Sequence, residues 1–164
     1  MPEHKIILAL GSNLGNRLET IKRAAAKLRI YGIKTEKMSS VWETEPWGLT
    51  DQPLFLNMCL SATTTLEPKE LLTLLKETER ELGRSPGLHW GPRVIDIDII
   101  YYDDLILEEP ELTIPHQEMQ NRSFVLRPLA EIAPELRHPK LGLTAAQLLS
   151  GCEGADKMLR ICIL

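Results

Sequence analysis

The order of strand-like and helix-like segments predicts an α+β fold, a ferredoxin-like βαββαβ sandwich. Four strand-like runs alternate with two amphipathic helices, which follow the first and the third strand. The apolar residues of the fourth strand share one face, as is typical of an antiparallel sheet covered by helices on a single side. We therefore expect two helices on one face of the sheet and the active site on the other.

The first half of this pattern is well marked. Residues 5–11 form a short β-type run that ends at a glycine, and a helix with apolar residues three and four apart starts at Arg17. Asn16 and Glu19 have the spacing of a capping box, and Gly32 ends the helix. Residues 34–44 read as the second strand.

The second half repeats the pattern. Residues 54–65 read as the third strand, Pro68 opens a leucine-rich helix that Gly83 closes, and residues 94–102 read as the fourth strand. Residues 103–114 predict an added hairpin. Residues 121–136 and 143–151 predict short C-terminal helices around prolines.

Length and composition exclude several classes of protein. The 164 residues fit one domain, residues 1–164, and the net charge of −4 argues against a general nucleic-acid binder. The three cysteines lack metal-ligand spacing, and the apolar stretch of the first strand is too short for a signal peptide or a membrane span. We expect a cytoplasmic monomer that binds neither nucleic acid nor a membrane.

Side-chain alternation separates the two faces of the sheet, because residues two apart on a strand share a face. The third strand alternates in the same way as the fourth. The aliphatic face carries Leu54, Leu56, Met58, Leu60, Ile95, Ile97 and Ile99. The opposite face carries Phe55, Asn57, Cys59, Asp96 and Asp98. We expect the aliphatic face to be the core and the other face to hold the chemistry.

Asp96 and Asp98 are candidate ligands for a divalent cation. Two carboxylates without a histidine or cysteine partner favour Mg²⁺, which takes its remaining ligands from water and substrate phosphates. The spacing alone fits equally well with a solvated strand in which Asp96 forms an ion pair with Arg93 or another arginine. Other residues point to phosphate: Arg84, Arg93 and Arg122 carry forked guanidinium groups, and His116 can donate to phosphate or can be a turn histidine bonded to backbone.

Loop aromatics and one glycine-rich turn complete the candidates. Trp47 and Trp90 lie in Pro/Gly-containing loops, where they can stack on a flat heterocycle or plug the loops onto the core, and Asn57 can read the edge of such a ring. "GSNLGN" lacks the spacing of a P-loop or a dinucleotide fingerprint. We therefore read it as a strand-to-helix turn near the site.

Seven segments together resemble the 6-hydroxymethyl-7,8-dihydropterin pyrophosphokinases over nearly the whole chain. They are "ALGSNLGNR", "SSVWETEPWG", "DQPLFLN", "ELGR", "HWGPRVIDIDII", "LTIPH" and "NRSFVLRPLAEIAP". The resemblance implies the fold predicted above, transfer of pyrophosphate from ATP to the pterin hydroxymethyl group, and release of AMP.

The resemblance also implies roles for particular residues. Asp96 and Asp98 would hold two Mg²⁺ ions and, with Arg84 and Arg93, would be catalytic. The implied ATP-binding residues are Arg84, Trp90, Arg93, Thr113, His116 and Arg122. The implied pterin-binding residues are Thr44, Trp47, Phe55, Asn57 and Phe124. His89 departs from the family, since an arginine often stands there, and the segment after Gly142 carries no family role.

Two other classes compete with this reading. Nucleotidyl transfer would combine a Gly-Ser turn with the two aspartates, but Gly11 and Asp96 are far apart in sequence. A non-enzymatic ligand-sensing module of the same fold would leave the aspartate pair and the arginines unexplained. No residue stands out as a general base.

Overall fold

The structure, a computed structural model, describes residues 2–46, 51–83 and 94–164. The strands are β1 (His4–Ser12), β2 (Lys34–Met38), β3 (Ser40–Thr44), β4 (Phe55–Thr64), β5 (Asp96–Tyr102), β6 (Leu107–Glu108), β7 (Thr113–Ile114) and β8 (Leu159–Ile163). The helices are α1 (Arg17–Ile30), α2 (Pro68–Glu81), α3 (Ser123–Ile132) and α4 (Ala145–Ser150). The predicted βαββαβ order is therefore confirmed, and an additional small hairpin pairs β6 with β7.

The main sheet is antiparallel and has the strand order β5-β1-β4-β3-β8, with β2 also paired to β4. This is the ferredoxin-like arrangement, in which the first and third predicted strands lie side by side in the centre. β5 lies at one end of the order, so among the strands of residues 2–46, 51–83 and 94–164 it pairs with β1 along one of its two edges. Its other edge faces α2 and the β6–β7 hairpin.

Both long helices begin and end where the sequence predicts. The Asn16 side chain accepts the main-chain N–H of Glu19, and Gly32 after α1 has a φ of 90°. Glu67 and Glu70 form a capping box around Pro68 at the start of α2. Capping satisfies N–H groups that a helix end leaves without an intrahelical partner.

α1 and α2 cover the aliphatic face of the sheet. Apolar side chains from both helices are fully buried against alternate residues of β1, β4 and β5. This core includes Leu8, Leu10, Ile21, Leu28, Leu56, Met58, Leu60, Leu71, Leu75, Ile95, Ile97 and Ile99. Burial of such side chains is the main stabilising term, at roughly 25 cal/mol per Å² of apolar surface.

The predicted strand over residues 34–44 is divided at Ser39. Its N–H donates to the carbonyl of Cys59, and its hydroxyl accepts the Cys59 N–H, both at 2.9 Å. At the junction of β2 and β3, the serine side chain thereby replaces one main-chain bond of the ladder to β4. A polar residue that can bond backbone locally competes with a regular strand, and this is why alternation alone predicts one continuous strand here.

The prediction that Leu54 belongs to the third strand and faces the core is wrong. This residue precedes β4 rather than starting it, and it is exposed instead of facing the core. The Arg17 guanidinium donates to the Leu54 carbonyl at 3.0 Å, which fixes the backbone in a loop conformation. Pro53, which cannot donate to a ladder, marks this boundary in the sequence.

The second face of the sheet is less open than predicted. α3 and α4 cover part of it and form a second apolar cluster with Ile7, Cys59, Ile100 and Tyr101. Cys59, predicted on the open face, is therefore fully buried. The register between β1 and β5 shifts at Ile7/Leu8, so Ile100 and Tyr101 both belong to this cluster and the simple alternation ends there.

The C-terminal segment contains both predicted helices, α3 and α4, and also the strand β8, which the sequence pattern does not predict. β8 pairs with β3, and its side chains are mostly exposed. A single exposed strand with a register shift has no clear alternation, so its pattern is weak. Within the described part of the chain, every helix is too short or too polar to cross a lipid bilayer.

We predict that Glu131→Ala lowers the free energy of unfolding by about 1–2 kcal/mol, because it leaves buried donors of β3 without their acceptor. The carboxylate of this α3 residue accepts the N–H and hydroxyl of Ser40 and the indole N–H of Trp42. Urea denaturation measures the change. Glu135→Ala, at an exposed position in the turn that follows the same helix, is the matched control, and an equal loss in both would contradict the prediction.

Candidate active site

A cavity of about 690 Å³ opens where the uncovered part of the sheet meets β7 and the start of α3. Every predicted site residue that the structure describes lines it. These residues are Thr44, Phe55, Asn57, Asp96, Asp98, Thr113, His116, Arg122 and Phe124. Four others, Trp47, Arg84, Trp90 and Arg93, lie outside the described residues, as does His89.

The paired aspartates face this cavity, as alternation along β5 predicts. Both are half-buried, while Ile97 between them is buried in the core. Their partners on β1 are Gly11 and Ala9. Because neither residue has a side chain larger than a methyl group, a ligand beside the carboxylates can approach the main chain of β1.

The ring of His116 stands near this pair. Its Nδ1 accepts the main-chain N–H of Glu118 at 3.2 Å, so the neutral ring carries its proton on Nε2. Nε2 lies 3.9 Å from Oδ2 of Asp98, beyond hydrogen-bond distance. His116 is therefore a turn histidine bonded to backbone, and its Nε2–H lies at the cavity, so donation to phosphate stays a prediction.

Burial, together with the smaller effect of the positive charge of Arg122, lowers the pKa of His116 from 6.5 to about 4, against an opposing effect of Asp96. The ring is therefore a neutral hydrogen-bond donor at physiological pH rather than an imidazolium. A protonated histidine would add a second positive charge beside Arg122 in a site that is partly shielded from water.

Arg122 supplies a fixed positive charge. It is buried just before α3, with its guanidinium 5.6 Å from the centre of the Phe124 ring. Burial lowers its pKa, and the negative charges of Asp98, Asp96 and Glu118 oppose this effect. An arginine remains protonated under such conditions, so the cavity contains a cation that faces the two aspartates.

A second part of the cavity combines an amide with aromatic rings. Asn57 donates from Nδ2 to the hydroxyl of Thr44 at 2.7 Å, and Phe55 and Phe124 line the same cavity. A Cβ atom on Gly11 would lie 2.7 Å from Oδ1 of Asn57. Only glycine at this position leaves the amide of Asn57 where it is.

The "GSNLGNR" turn supports this part of the site from behind. Asn13 is buried and donates to Oε1 of Gln52 at 2.8 Å and to the Pro53 carbonyl at 3.0 Å. Arg17 donates to Oε2 of Glu43 and to the Leu54 carbonyl, both at 3.0 Å. The turn thus holds the segment that leads into Phe55, which agrees with its prediction as a structural turn near the site.

The cavity also extends around the edge of β5 that lies opposite β1. Of the residues that line this part, the sequence predicts only Thr113 as a site residue. This arm runs between α2 and the β6–β7 hairpin, and it is lined by Leu72, Lys76, Glu79, Pro110, Glu111 and Leu112. Lys69 of α2 bonds Glu109 at 2.7 Å and Glu111 at 3.0 Å, which ties the hairpin to the helix. A charged residue within the apolar stripe of α2, Glu79, is the one sequence signal that could have indicated this arm.

The carboxylates of Asp96 and Asp98 fit a magnesium site. Mg²⁺ prefers oxygen ligands and is commonly held by one or two carboxylates, with water and phosphate completing its octahedron. His116 does not compete, because its Nε2 carries a proton and its Nδ1 accepts from backbone. Across residues 2–46, 51–83 and 94–164, no group of three or more His, Cys, Asp or Glu side chains suits a metal ion.

We predict that NMR of the imidazole nitrogens will show His116 neutral at about pH 5.5, where an unperturbed histidine is mostly protonated. The unfolded chain binds this proton and the folded chain does not. The free energy of unfolding therefore decreases as pH falls from 6.5 to about 4, because in this range the proton binds to the unfolded chain in preference to the folded one. Arg122→Met should raise the pKa of His116 by removing a nearby cation. Half-protonation near pH 6.5 in the unsubstituted protein would contradict the prediction.

Comparison with known proteins identifies the family. Residues 7–134 match the family model described as 7,8-dihydro-6-hydroxymethylpterin-pyrophosphokinase (HPPK). The structure is also similar to the crystal structure of wild-type Plasmodium falciparum HPPK-DHPS with pteroate. The TM-score is 0.74 at 16% identity, over 92% of this chain and 42% of that one. At this identity the likeness supports the fold alone.

Curated relatives agree with the family model. The chain is 43% identical to the 2-amino-4-hydroxy-6-hydroxymethyldihydropteridine pyrophosphokinase of Aquifex aeolicus, over 82% of this chain and 83% of the relative. It is 44% identical to the protein of the same name from Bacillus subtilis, over 79% and 78%. It is 42% identical to the mitochondrial folate synthesis bifunctional protein of Arabidopsis thaliana, over 79% of this chain but only 24% of that protein. The chain belongs to the 7,8-dihydro-6-hydroxymethylpterin-pyrophosphokinase family.

Proposed function

We propose that this protein transfers pyrophosphate from ATP to the hydroxymethyl group of 6-hydroxymethyl-7,8-dihydropterin, a step of folate biosynthesis that releases AMP. One observation carries the proposal beyond family membership. A single cavity joins two carboxylates, a fixed cation and a neutral donor to an amide with aromatic neighbours. The first set suits a metal-bound polyphosphate, and the second suits a flat heterocycle.

Asp96 and Asp98 would hold Mg²⁺, and we propose two ions, as the family resemblance implies. When bound, the metal neutralises charge on the triphosphate and lowers the pKa of a coordinated hydroxyl. The task of the chain is to keep both carboxylates half-buried, convergent and accessible on the same face of β5.

Arg122 and His116 would bind the phosphates from the protein side. The guanidinium offers a planar fork of N–H donors, and the imidazole offers Nε2–H without adding charge. Thr113 lies beside them at the cavity wall. Arg84, Trp90 and Arg93 remain predicted contributors from the segment outside the described residues.

The arm around the edge of β5 would hold the nucleoside of ATP. Leu72 on α2 and Leu112 on the hairpin provide apolar surface to opposite sides, and Lys76 and Glu111 provide polar groups. The arm is continuous with the aspartates, as an extended ATP molecule requires. The geometry therefore supports a nucleoside in the arm and a triphosphate directed toward β5.

The pterin would lie at the amide end of the cavity. Asn57 can offer an acceptor and a donor to the ring edge, while Phe55 and Phe124 offer apolar faces. Thr44 holds Asn57 through their hydrogen bond. Trp47 remains a predicted stacking partner outside the described residues.

With both substrates in place, the pterin hydroxyl oxygen would bond the β-phosphorus while the bond from that phosphorus to the bridging oxygen of the α-phosphate breaks. AMP keeps the bridging oxygen, and the hydroxyl proton leaves to water. His116 does not take this proton, because it already carries one on Nε2 and its Nδ1 accepts from Glu118. The side chains act by alignment and charge stabilisation.

Location and assembly stay predictions. We expect a cytoplasmic monomer with no nucleic-acid or membrane partner. Two plant relatives carry "mitochondrial" in their names. The chain spans 24% of the Arabidopsis thaliana bifunctional protein and 19% of the folic acid synthesis protein fol1 of Pneumocystis carinii. The activity of any longer protein is therefore part of the proposal.

We predict that the protein, mixed with ATP, Mg²⁺ and 6-hydroxymethyl-7,8-dihydropterin, forms AMP only when the pterin is present. ³¹P NMR identifies the products, since transfer of pyrophosphate gives AMP and transfer of one phosphoryl group gives ADP. Formation of ADP, or AMP without the pterin, would overturn the proposal.

Substitution of the aspartates tests the metal site in the same assay. Asp96→Asn and Asp98→Asn should each lower kcat by at least about a hundredfold, since each replaces a carboxylate ligand of the proposed Mg²⁺, which neutralises charge on the reacting phosphates. Thermal unfolding should stay near that of the unsubstituted protein, because both side chains are half-buried on the open face. Unfolding of both variants would instead assign the pair a structural role.

We predict that Gly11→Ala raises KM for the pterin about tenfold, the equivalent of one hydrogen bond, with KM for ATP within about twofold. The added Cβ must displace Oδ1 of Asn57, from which it would lie only 2.7 Å. Steady-state kinetics with each substrate varied gives both constants. Asn57→Ala is the control, and the double variant should lose little more than either single one. Additive losses would show that Gly11 acts elsewhere.

A further inference from the structure

Glu79 interrupts the apolar stripe of α2. Leu71 and Leu75 precede it at intervals of four and are fully buried, so helical periodicity calls for another leucine at this position. Glu79 is itself 4% exposed. A buried carboxylate is costly unless it is hydrogen-bonded, so packing alone does not account for it.

The carboxylate is directed at the segment between the two aspartates. Oε2 of Glu79 accepts the main-chain N–H of Ile97 at 2.7 Å. A length of 2.7 Å is at the short end of the range for hydrogen bonds from an N–H group to an oxygen. Ile97 is the one residue between Asp96 and Asp98, so this bond holds the centre of the proposed metal-binding segment.

The place of β5 in the sheet explains why this bond is needed. Residues in an antiparallel pair alternately direct their N–H groups toward the partner strand and away from it. The Ile97 N–H points away from β1, on the side of β5 where no other strand of the described residues pairs, so its acceptor must come from outside the sheet. Without Glu79, a buried donor would lack this acceptor and the outer side of the segment would lose its anchor.

We propose that Glu79 is a positioning residue that holds the Asp96–Asp98 segment in the geometry required for divalent-cation binding. The proposal rests on the metal site proposed above and assigns it a support from α2. Residues that orient metal ligands typically change metal affinity by about 10–100-fold when they are replaced. Glu79 also lines the cavity, so the same contact couples α2 to the aspartates.

Three variants of the full chain separate positioning from packing. Glu79→Leu completes the apolar stripe and removes the acceptor, whereas Glu79→Gln keeps an acceptor oxygen without the charge. Thr78→Val is the matched control, because Thr78 is fully buried next to Glu79 and its hydroxyl bonds the Leu74 carbonyl of its own helix. Mn²⁺ can replace Mg²⁺ as a probe that electron paramagnetic resonance detects.

Mn²⁺ is titrated into each variant with an ATP analogue that has a methylene bridge between the α and β phosphorus atoms, so that no turnover occurs. We expect Glu79→Leu to weaken Mn²⁺ binding by about 10–100-fold and Glu79→Gln by less than about threefold. Thr78→Val should bind Mn²⁺ as the unsubstituted protein does, even if it unfolds at a lower temperature. If Glu79→Leu does not fold, Glu79→Ala is judged by the same criterion.

Unchanged Mn²⁺ binding in a folded Glu79→Leu protein would overturn the inference. A loss in Glu79→Gln as large as in Glu79→Leu would also overturn it, because charge rather than the acceptor for Ile97 would then matter. Asp96→Asn and Asp98→Asn are titrated in parallel. If they also bind Mn²⁺ normally, the proposed metal site itself is wrong. If they lose binding and Glu79→Leu does not, only the positioning role fails.

Discussion

The site depends on the position of β5 at the edge of the sheet. One edge of the strand pairs with β1, and the other is left to groups from outside the sheet. Glu79 accepts the N–H of Ile97 there, and the main-chain N–H of His116 donates to the Ile100 carbonyl at 3.1 Å. A central strand would have neighbours on both sides and could contact neither α2 nor the segment after β7 in this way. The two aspartates, the His116 ring and the arm of the cavity between α2 and the β6–β7 hairpin therefore all lie around this one strand.

The same strand separates apolar core from chemistry by the alternation of its side chains. Ile97 and Ile99 anchor β5 under α1 and α2, while Asp96 and Asp98 stay on the opposite face. Because the isoleucines are held in the core, a slip of one residue would bury both charges, so the register is strongly specified. The stability of the core and the direction of the carboxylates thus have a common origin.

Much of this could be predicted from the sequence. The period of two in β5 predicted the two faces, and helix caps and glycines predicted the limits of α1 and α2. Properties that depend on contacts between distant segments could not be predicted in this way. The break at Ser39 depends on Cys59, and the covering of Cys59 by α3 depends on where that helix packs. Leu54 was misassigned because an apolar residue next to a strand reads as part of it. The arm lined by α2 arises only when the hairpin folds against the helix.

The close approach of Gly11 to Asn57 limits how this site could change under selection by an inhibitor. Beside the Asn57 amide, which would bind the pterin, the wall of the cavity is formed by the main chain of Gly11. A side chain added at Gly11 would obstruct a competing drug, but it would also displace Oδ1 of Asn57 and weaken the binding of the substrate. Under the proposed function, resistance at this position would come at the expense of folate synthesis. Inhibitors that contact the strand backbone beside Asn57 would therefore leave the target few routes of escape.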